Sequence, residues 1–97
     1  MVTRIVKMTF RTDEVQSFLD IFEQYNAQIR GAEGCQSLQL LRDCDNPSVF
    51  FTYSTWLQES YLDVYRNSSL FAEVWPRVKP LFAAPAEAWT TTAVFDL

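Results

Sequence analysis

One strand-like stretch of the sequence combines hydroxyl groups with large aromatic rings. Every second side chain of residues 49–56 falls on the same face if this stretch is a strand. These side chains are Phe50, Thr52, Ser54 and Trp56. Apolar walls with a few hydroxyl groups suit a pocket for a flat, partly polar molecule. We therefore expect a small-molecule site along this face.

The residue types that are missing restrict the chemistry of such a site. The chain contains no histidine, which argues against Ser/His/Asp and Cys/His nucleophilic sites, the usual zinc sites and histidine-ligated haem. Cys35 and Cys44 lack the CxxC spacing, so we interpret them as reduced structural thiols. An unperturbed tyrosine, with a pKa of about 10, is a poor base at neutral pH. We expect neither a metal ion nor a cofactor.

Length, charge and apolar patterning limit the class of protein. With 97 residues the chain has the size of one domain, which we place at residues 1–97. The net charge is −4 and the basic residues are scattered, which argues against nucleic acid as a partner. The apolar runs are too short to cross a membrane, and the first ten residues do not resemble a signal peptide. We expect a cytoplasmic protein.

The first half of the chain predicts a strand, a helix and a second strand. Residues 2–10 alternate with the two-residue period of a strand. Asp13 and Gln16 have the spacing of a helix capping box. An apolar stripe follows, formed by Val15, Phe18, Leu19, Phe22, Tyr25 and Ile29, and predicts that the helix packs on a sheet. Gly31 and Gly34 can supply positive φ angles before a strand that begins near Cys35.

The second half predicts a hairpin, a divided helical region and a last strand. The turn-forming residues 44–48 separate the second strand from the third, at 49–56. Two short helices follow, the second beginning near Asn67-Ser68-Ser69. Pro76 is expected to kink or end this helix, and residues 88–95 predict a fourth strand. The order β-α-β-β-α-β indicates an α+β, ferredoxin-like fold with a four-stranded antiparallel sheet.

The predicted third strand carries bulky residues on both of its faces. Helices cover one face of such a sheet, yet Val49, Phe51 and Tyr53 lie on the other. A solvated sheet face should be polar. We therefore expect a second copy of the chain to pack against this face in a symmetric homodimer.

Three sequence features in this order resemble the antibiotic biosynthesis monooxygenase family. They are Gly34-Cys35 before the second strand, Leu41-Arg42 at its end, and the aromatic third strand that closes on Trp56. The stretch from Ser60 to Phe82 is also similar to the family's second helical region. The resemblance implies a homodimeric α/β barrel with a small-molecule pocket in each subunit, between the helices and the sheet. The family includes cofactor-independent oxygenases, haem-degrading enzymes and isomerases.

The resemblance also suggests roles for particular residues. The family's quinone-forming oxygenases place an Asn four positions before the strand-three Trp, where this chain has Thr52, whose hydroxyl can donate one hydrogen bond to an oxyanion. Tyr65 stands where many members have a His, so haem degradation is disfavoured. The predicted catalytic residues are Trp56, Thr52 and Tyr65. The predicted substrate-binding residues are Phe50, Ser54, Phe22, Trp75 and Arg42, although Arg42 also suits a surface ion pair with Asp43 or Glu59.

Three functions follow as hypotheses. The first is a cofactor-independent monooxygenase for an electron-rich phenol or anthrone-like substrate, whose own carbanion reduces O2. The second is a dimer that binds a small hydrophobic metabolite without catalysis. The third is an isomerase of a small metabolite, which requires an acid/base pair that these residues do not reveal.

Overall fold

A four-stranded antiparallel sheet organises the computed structural model, which describes residues 1–97. The strands are β1 (Val2–Thr9), β2 (Cys35–Arg42), β3 (Val49–Trp56) and β4 (Glu87–Thr91), in the order β2-β3-β1-β4. The helices are α1 (Val15–Arg30), α2 (Glu59–Arg66) and α3 (Ser69–Val78). This arrangement confirms the predicted ferredoxin-like order, including the division of the second helical region.

Strand β3 has the predicted bounds, whereas β4 is shorter than predicted. β4 pairs only with β1, and the last pair of the ladder joins Thr3 to Thr91. Because β1 begins at Val2, almost no partner backbone remains for residues 92–95. The β-forming residues there are therefore outside the strand.

The start of α1 differs from the predicted capping box. A single 3₁₀ turn, Thr12–Glu14, precedes the helix, and no side chain caps the first turn of α1. The Gln16 side chain instead donates a hydrogen bond to Asp20 Oδ1 at 3.0 Å. The apolar stripe was predicted correctly, since Phe18 and Tyr25 are buried against the sheet.

The two halves of the second helical region meet at Ser68. Its Oγ accepts a hydrogen bond from the Phe71 N–H at 3.2 Å and so caps α3, as the Asn67-Ser68-Ser69 pattern predicted. Pro76 does not end α3, which continues to Val78. Pro76 lies in the last turn, where its missing N–H removes a single helical hydrogen bond, and a 3₁₀ turn at Lys79–Leu81 follows.

The buried residues form two separate clusters between the helices and the sheet. The larger cluster contains Met8, Phe10, Phe18, Ile21, Tyr25, Phe50 and Val78. The smaller one contains Val2, Cys35, Trp56 and Leu62. The larger cluster joins α1 and α3 to the sheet, and the smaller one joins α2 to the end of β3. The interior is therefore divided.

No helix covers the opposite face of the sheet. The register of the ladders places Tyr53 of β3 beside Ile5 of β1, and Ile5 beside Trp89 of β4. Tyr53 is 38% exposed, Trp89 46% and Leu41, on β2, 43%. We call this surface the open sheet face.

Among the helices, none has both the length and the apolar character that are required to cross a membrane.

A glycine allows α2 to approach the start of β2. Gly34 has a φ of +84°, and a Cβ atom at this position would lie 2.3 Å from Tyr61 Cγ on α2. Gly31, in contrast, has a φ of −81°, so the prediction of a positive φ was right for Gly34 and wrong for Gly31. Both the backbone conformation and the contact with Tyr61 require a glycine at position 34.

We expect Gly34→Ala to lower the free energy of unfolding by at least about 2 kcal/mol, because a strained φ and a steric clash combine. Gly31→Ala is the matched control and should cost less than about 1 kcal/mol, since its φ suits any residue. Urea denaturation of both variants measures the difference. Equal losses would contradict the special role of Gly34.

Candidate functional site

A cavity of about 410 Å³ lies between the helix-covered face of the sheet and the three helices. Members of both buried clusters line it, so the cavity occupies the gap between them. Ala88 on β4 and Arg66 on α2 are exposed members of its wall, and the cavity therefore opens to solvent beside them. Its size is typical of pockets that hold small organic molecules.

The wall of the cavity is mainly apolar. Of its 21 residues, 17 are hydrophobic. The polar or charged residues in the wall are Arg4, Thr52, Ser54 and Arg66. The wall contains no carboxylate and no Lys side chain, and no group of three Cys, Asp or Glu residues is placed to hold a metal ion. The site can enclose a flat molecule and donate hydrogen bonds to it.

Strand β3 contributes a linked pair of polar groups at one end of the cavity. Trp56 is 1% exposed and its Nε1 donates a hydrogen bond to Ser54 Oγ at 3.0 Å. The indole N–H is therefore already occupied, and Trp56 presents only its ring to the cavity. Ser54 keeps its own hydroxyl hydrogen, and an accepted hydrogen bond makes a hydroxyl a better donor.

Thr52 lies one step along the same face of β3. It pairs with Val6 of β1 and Leu40 of β2, so apolar residues flank it on both sides. No side-chain hydrogen bond engages its hydroxyl within the protein. Thr52 can therefore donate directly to a molecule in the cavity.

Tyr65 on α2 packs against Trp56 and also lines the cavity. The two rings are stacked with centroids 5.4 Å apart, and Phe71 contacts Tyr65 edge-on at 5.5 Å. Burial, with a smaller contribution from Cys35, raises the pKa of Tyr65 to about 12. The phenol is therefore neutral at physiological pH, and Tyr65 can act as a wall or a hydrogen-bond donor but not as a base.

Helices α1 and α3 supply the remaining predicted wall residues. Phe22 and Trp75 both line the cavity. The Trp75 ring stacks on Phe71 at 5.8 Å and meets Phe82 edge-on at 5.6 Å. Of the eight residues that the sequence suggested, six therefore meet around one cavity, namely Trp56, Thr52, Tyr65, Ser54, Phe22 and Trp75.

Phe50 and Arg42 lie outside the cavity wall. Phe50 is on the same face of β3, but its ring packs against Phe18 at 5.3 Å and is buried in the larger cluster. The Arg42 guanidinium lies over the Phe50 ring at 4.6 Å. Arg42 thus makes a cation–π contact, and it forms neither of the ion pairs considered from the sequence, with Asp43 or Glu59.

Among the wall residues that the sequence had not suggested as site residues, three carry polar groups, namely Arg4, Tyr25 and Arg66. Tyr25 was assigned only to the apolar stripe, and its hydroxyl ties α1 to α3 by donating to Glu73 Oε1 at 3.1 Å and accepting from Arg77 Nη1 at 2.8 Å. The sequence did mark Arg4 as unusual, since this arginine occupies an apolar position of the alternating first strand. A cation on the core side of a strand requires an explanation.

Arg4 is partly buried beside a second cation. Burial lowers the pKa of the Arg4 guanidinium, Arg66 lowers it further, and Asp63 opposes this effect. Arg4 Nη1 donates a hydrogen bond to Thr90 Oγ1 at 2.9 Å. An arginine stays protonated at physiological pH even so, and this end of the cavity is therefore positive.

The sequence model of the antibiotic biosynthesis monooxygenase family matches residues 1–76. The chain belongs to this family. The matched segment includes all the cavity residues of β1, α1, β2 and β3, as well as Tyr65 and Trp75. No curated protein sequence matches this family member.

Solved structures share the fold of this antibiotic biosynthesis monooxygenase family member. A conserved protein of Methanosarcina mazei is 22% identical, with a TM-score of 0.88 over 94% of this chain and 91% of that one. A variant of SnoaB, a cofactor-independent oxygenase of Streptomyces nogalater, is 19% identical, with a TM-score of 0.87 over 99% and 95%. Another antibiotic biosynthesis monooxygenase is 17% identical, with a TM-score of 0.90 over 97% and 99%. At these identities the similarity demonstrates the fold.

We expect Ser54→Ala to lower the free energy of unfolding by about 1 to 3 kcal/mol, because it leaves the buried Trp56 N–H without an acceptor. Thr52→Val, a similar change two residues away, removes a hydroxyl without a side-chain partner and should cost less than about 1 kcal/mol. Thermal and urea unfolding compare the two variants. A larger loss for Thr52→Val would contradict this assignment of the hydrogen bonds.

Proposed function

We propose that this protein is a cofactor-independent monooxygenase that oxidises a small anthrone-like or phenolic substrate. The observation that carries the proposal is the apolar cavity of about 410 Å³, in which the hydroxyl groups of Thr52 and Ser54 face a space large enough for a fused aromatic molecule. Membership of the antibiotic biosynthesis monooxygenase family supports this choice of reaction.

The proposed role of β3 is to stabilise the anion of the substrate. The hydroxyl groups of Thr52 and Ser54 would donate hydrogen bonds to the substrate's oxygen as it takes on the negative charge of an enolate. Donors that are already oriented in a site with little water are effective at this task. The rings of Trp56 and Tyr65 would hold the substrate plane and exclude water.

The reaction can be balanced with the substrate and O2 alone. An anthrone loses a proton from its CH2 carbon, and the resulting carbanion transfers electrons to O2. A new C–O bond forms at this carbon and gives a hydroperoxide after protonation. The hydroperoxide then loses water as its O–O bond breaks, which leaves a carbonyl group. One oxygen atom of O2 enters the quinone and the other leaves as water.

The first proton transfer does not have a strong protein base. The cavity wall includes no carboxylate, imidazole or amine, and the pKa of Tyr65 is raised to about 12. The proposed enzyme would therefore favour a substrate that is acidic enough to lose its proton to solvent, and the protein would bind the anion.

The test is oxygen uptake by the purified protein with anthrone and with an anthrone carboxylic acid, each corrected for autoxidation without protein. We expect one O2 to be consumed for each anthraquinone formed, with one atom of labelled oxygen in the product. Thr52→Val should lower kcat by at least about tenfold because a donor to the enolate is lost, whereas Thr52→Ser should retain activity. Arg11→Met, which removes a surface ion pair with Glu14, is the control. Uptake no faster than autoxidation would reject the proposal.

The lack of a base in the cavity wall also favours a second function, a protein that binds a small aromatic metabolite without changing it. The two functions differ in the same experiment. If anthrone raises the melting temperature in a concentration-dependent manner while oxygen uptake stays at the level of autoxidation, binding without catalysis is the better description.

We also propose that the protein acts as a homodimer joined through the open sheet face. Ile5, Tyr53 and Trp89 form one row across three strands of this face, and Leu41 and Phe51 are paired in the next row. Exposed apolar patches of this kind are typical of protein interfaces. A second copy would bury the same residues from both subunits in a symmetric contact.

We expect the wild-type protein to sediment as a dimer and Tyr53→Glu to sediment as a monomer, because the symmetric contact would have to bury one unpaired charge from each subunit. Val64→Glu is the matched control, since Val64 is an exposed apolar residue, 65% accessible, on α2. Analytical ultracentrifugation at micromolar concentrations measures both. A monomeric wild type, or an unchanged Tyr53→Glu, would contradict this interface.

A further inference from the structure

Strand β1 carries a cation on the face that is otherwise apolar. Arg4 shares this face with Val6 and Met8, and all three line the cavity. The register places Arg4 between Ser54 of β3 and Thr90 of β4. Because a charged side chain loses hydration when it is partly buried, its position beside an apolar cavity carries a cost that another interaction must offset.

The protein itself provides no anion for this cation. The ion pairs within 4.0 Å are Lys7–Glu87 and Arg11–Glu14, and neither includes Arg4. The hydrogen bond from Arg4 goes to the neutral hydroxyl of Thr90. A guanidinium has five N–H donors, so most of them remain available.

A second guanidinium strengthens the positive charge at this end of the cavity. Arg66, on the last turn of α2, also lines the cavity and also lacks an ion pair within 4.0 Å. The one carboxylate with an effect on Arg4 is that of Asp63, which is exposed and lies beyond that distance. The whole chain has a net charge of −4, so this positive site is local and does not reflect a basic surface.

We infer that the molecule held in this cavity is an aromatic acid whose carboxylate binds Arg4, with Arg66 as a second positive charge at the opening. A guanidinium matches the two oxygens of a carboxylate with two parallel hydrogen bonds. The Ser54 hydroxyl, adjacent to Arg4 across the β1–β3 ladder, can donate to the same group. The aromatic part then lies against the rings of Trp56 and Trp75.

This inference rests on the proposed function only in taking the cavity as the binding site, and it needs no turnover. It narrows the substrate class to molecules with a flat apolar body and an acidic group at one end. A carboxylate bound at the positive end would orient such a substrate in the cavity, while solvent still accepts the proton in the proposed reaction.

The experiment compares two probes of nearly equal shape, 2-naphthoate and the neutral 2-naphthamide, by isothermal titration calorimetry with the 97-residue protein. The wild type should bind 2-naphthoate about tenfold more tightly or better. Arg4→Met should remove this preference and leave the affinity for 2-naphthamide within about twofold, because the apolar wall is kept. Arg66→Gln should have a smaller effect, about threefold, since Arg66 is exposed.

Two controls separate charge recognition from other effects. Arg11→Met removes one positive charge on the surface, outside the cavity wall, and should leave the preference unchanged. Arg4→Lys keeps the positive charge but lacks the two parallel N–H donors of a guanidinium, so it should retain part of the affinity for 2-naphthoate.

Each adverse result has a clear meaning. Equal affinity of the wild type for the two probes would overturn the carboxylate inference while leaving the cavity as a binding site. If Arg4→Met lowered the affinity for both probes equally, the inference would also be overturned, because Arg4 would then act through the shape of the cavity. No binding of either probe would overturn both this inference and the proposed use of the cavity.

Discussion

The burial of Trp56 between the sheet and α2 is the contact on which the cavity depends. Its ring is 1% exposed and stacks on Tyr65, and its N–H is bound to Ser54. The close approach of α2 that this packing requires is possible because Gly34 faces Tyr61 without a side chain. Once α2 is fixed over the end of β3, its last turn carries Arg66 to the opening of the cavity.

An empty cavity of this size would greatly lower the free energy of unfolding of such a small domain. At about 24 cal/mol per Å³, an empty volume of 410 Å³ would cost on the order of 10 kcal/mol, which is comparable with the whole stability of a domain. The opening beside Arg66 and Ala88 reduces this cost, because water can enter. Thr52, Ser54 and Arg4 can then form hydrogen bonds to water when the cavity holds no ligand, or to an oxygen atom of a bound ligand.

Local signals explain most of what the sequence predicted correctly. The bounds of β3 and the cap at Ser68 depend on residues next to one another in the chain, and so does the period that gathers Thr52, Ser54 and Trp56 on one face. The end of β4 depends instead on how far β1 extends beside it, which the residues at 92–95 do not encode. Likewise, periodicity gave the correct face for Phe50, but the space above it is filled by Phe18 from a helix far away in the chain.

Arg4 illustrates a different limit of prediction. The alternation of β1 already placed it among apolar residues, and this conflict was the available signal. Whether such an arginine is neutralised depends on the carboxylates that the fold brings near it, and these lie on other elements. Only the assembled structure reveals that Asp63 remains beyond ion-pair distance and that Arg66 affects the pKa of Arg4 more than Asp63 does.

The three tryptophans are distributed over the molecule in a way that makes its natural fluorescence informative. Trp56 is buried in the smaller cluster at one end of the cavity wall, Trp75 lines the cavity from α3, and Trp89 is 46% exposed on the open sheet face. Each indole therefore emits from a surrounding of different polarity. Single-tryptophan versions of this chain would separate three processes optically, namely unfolding around α2, filling of the interior and contact between copies, without any attached dye.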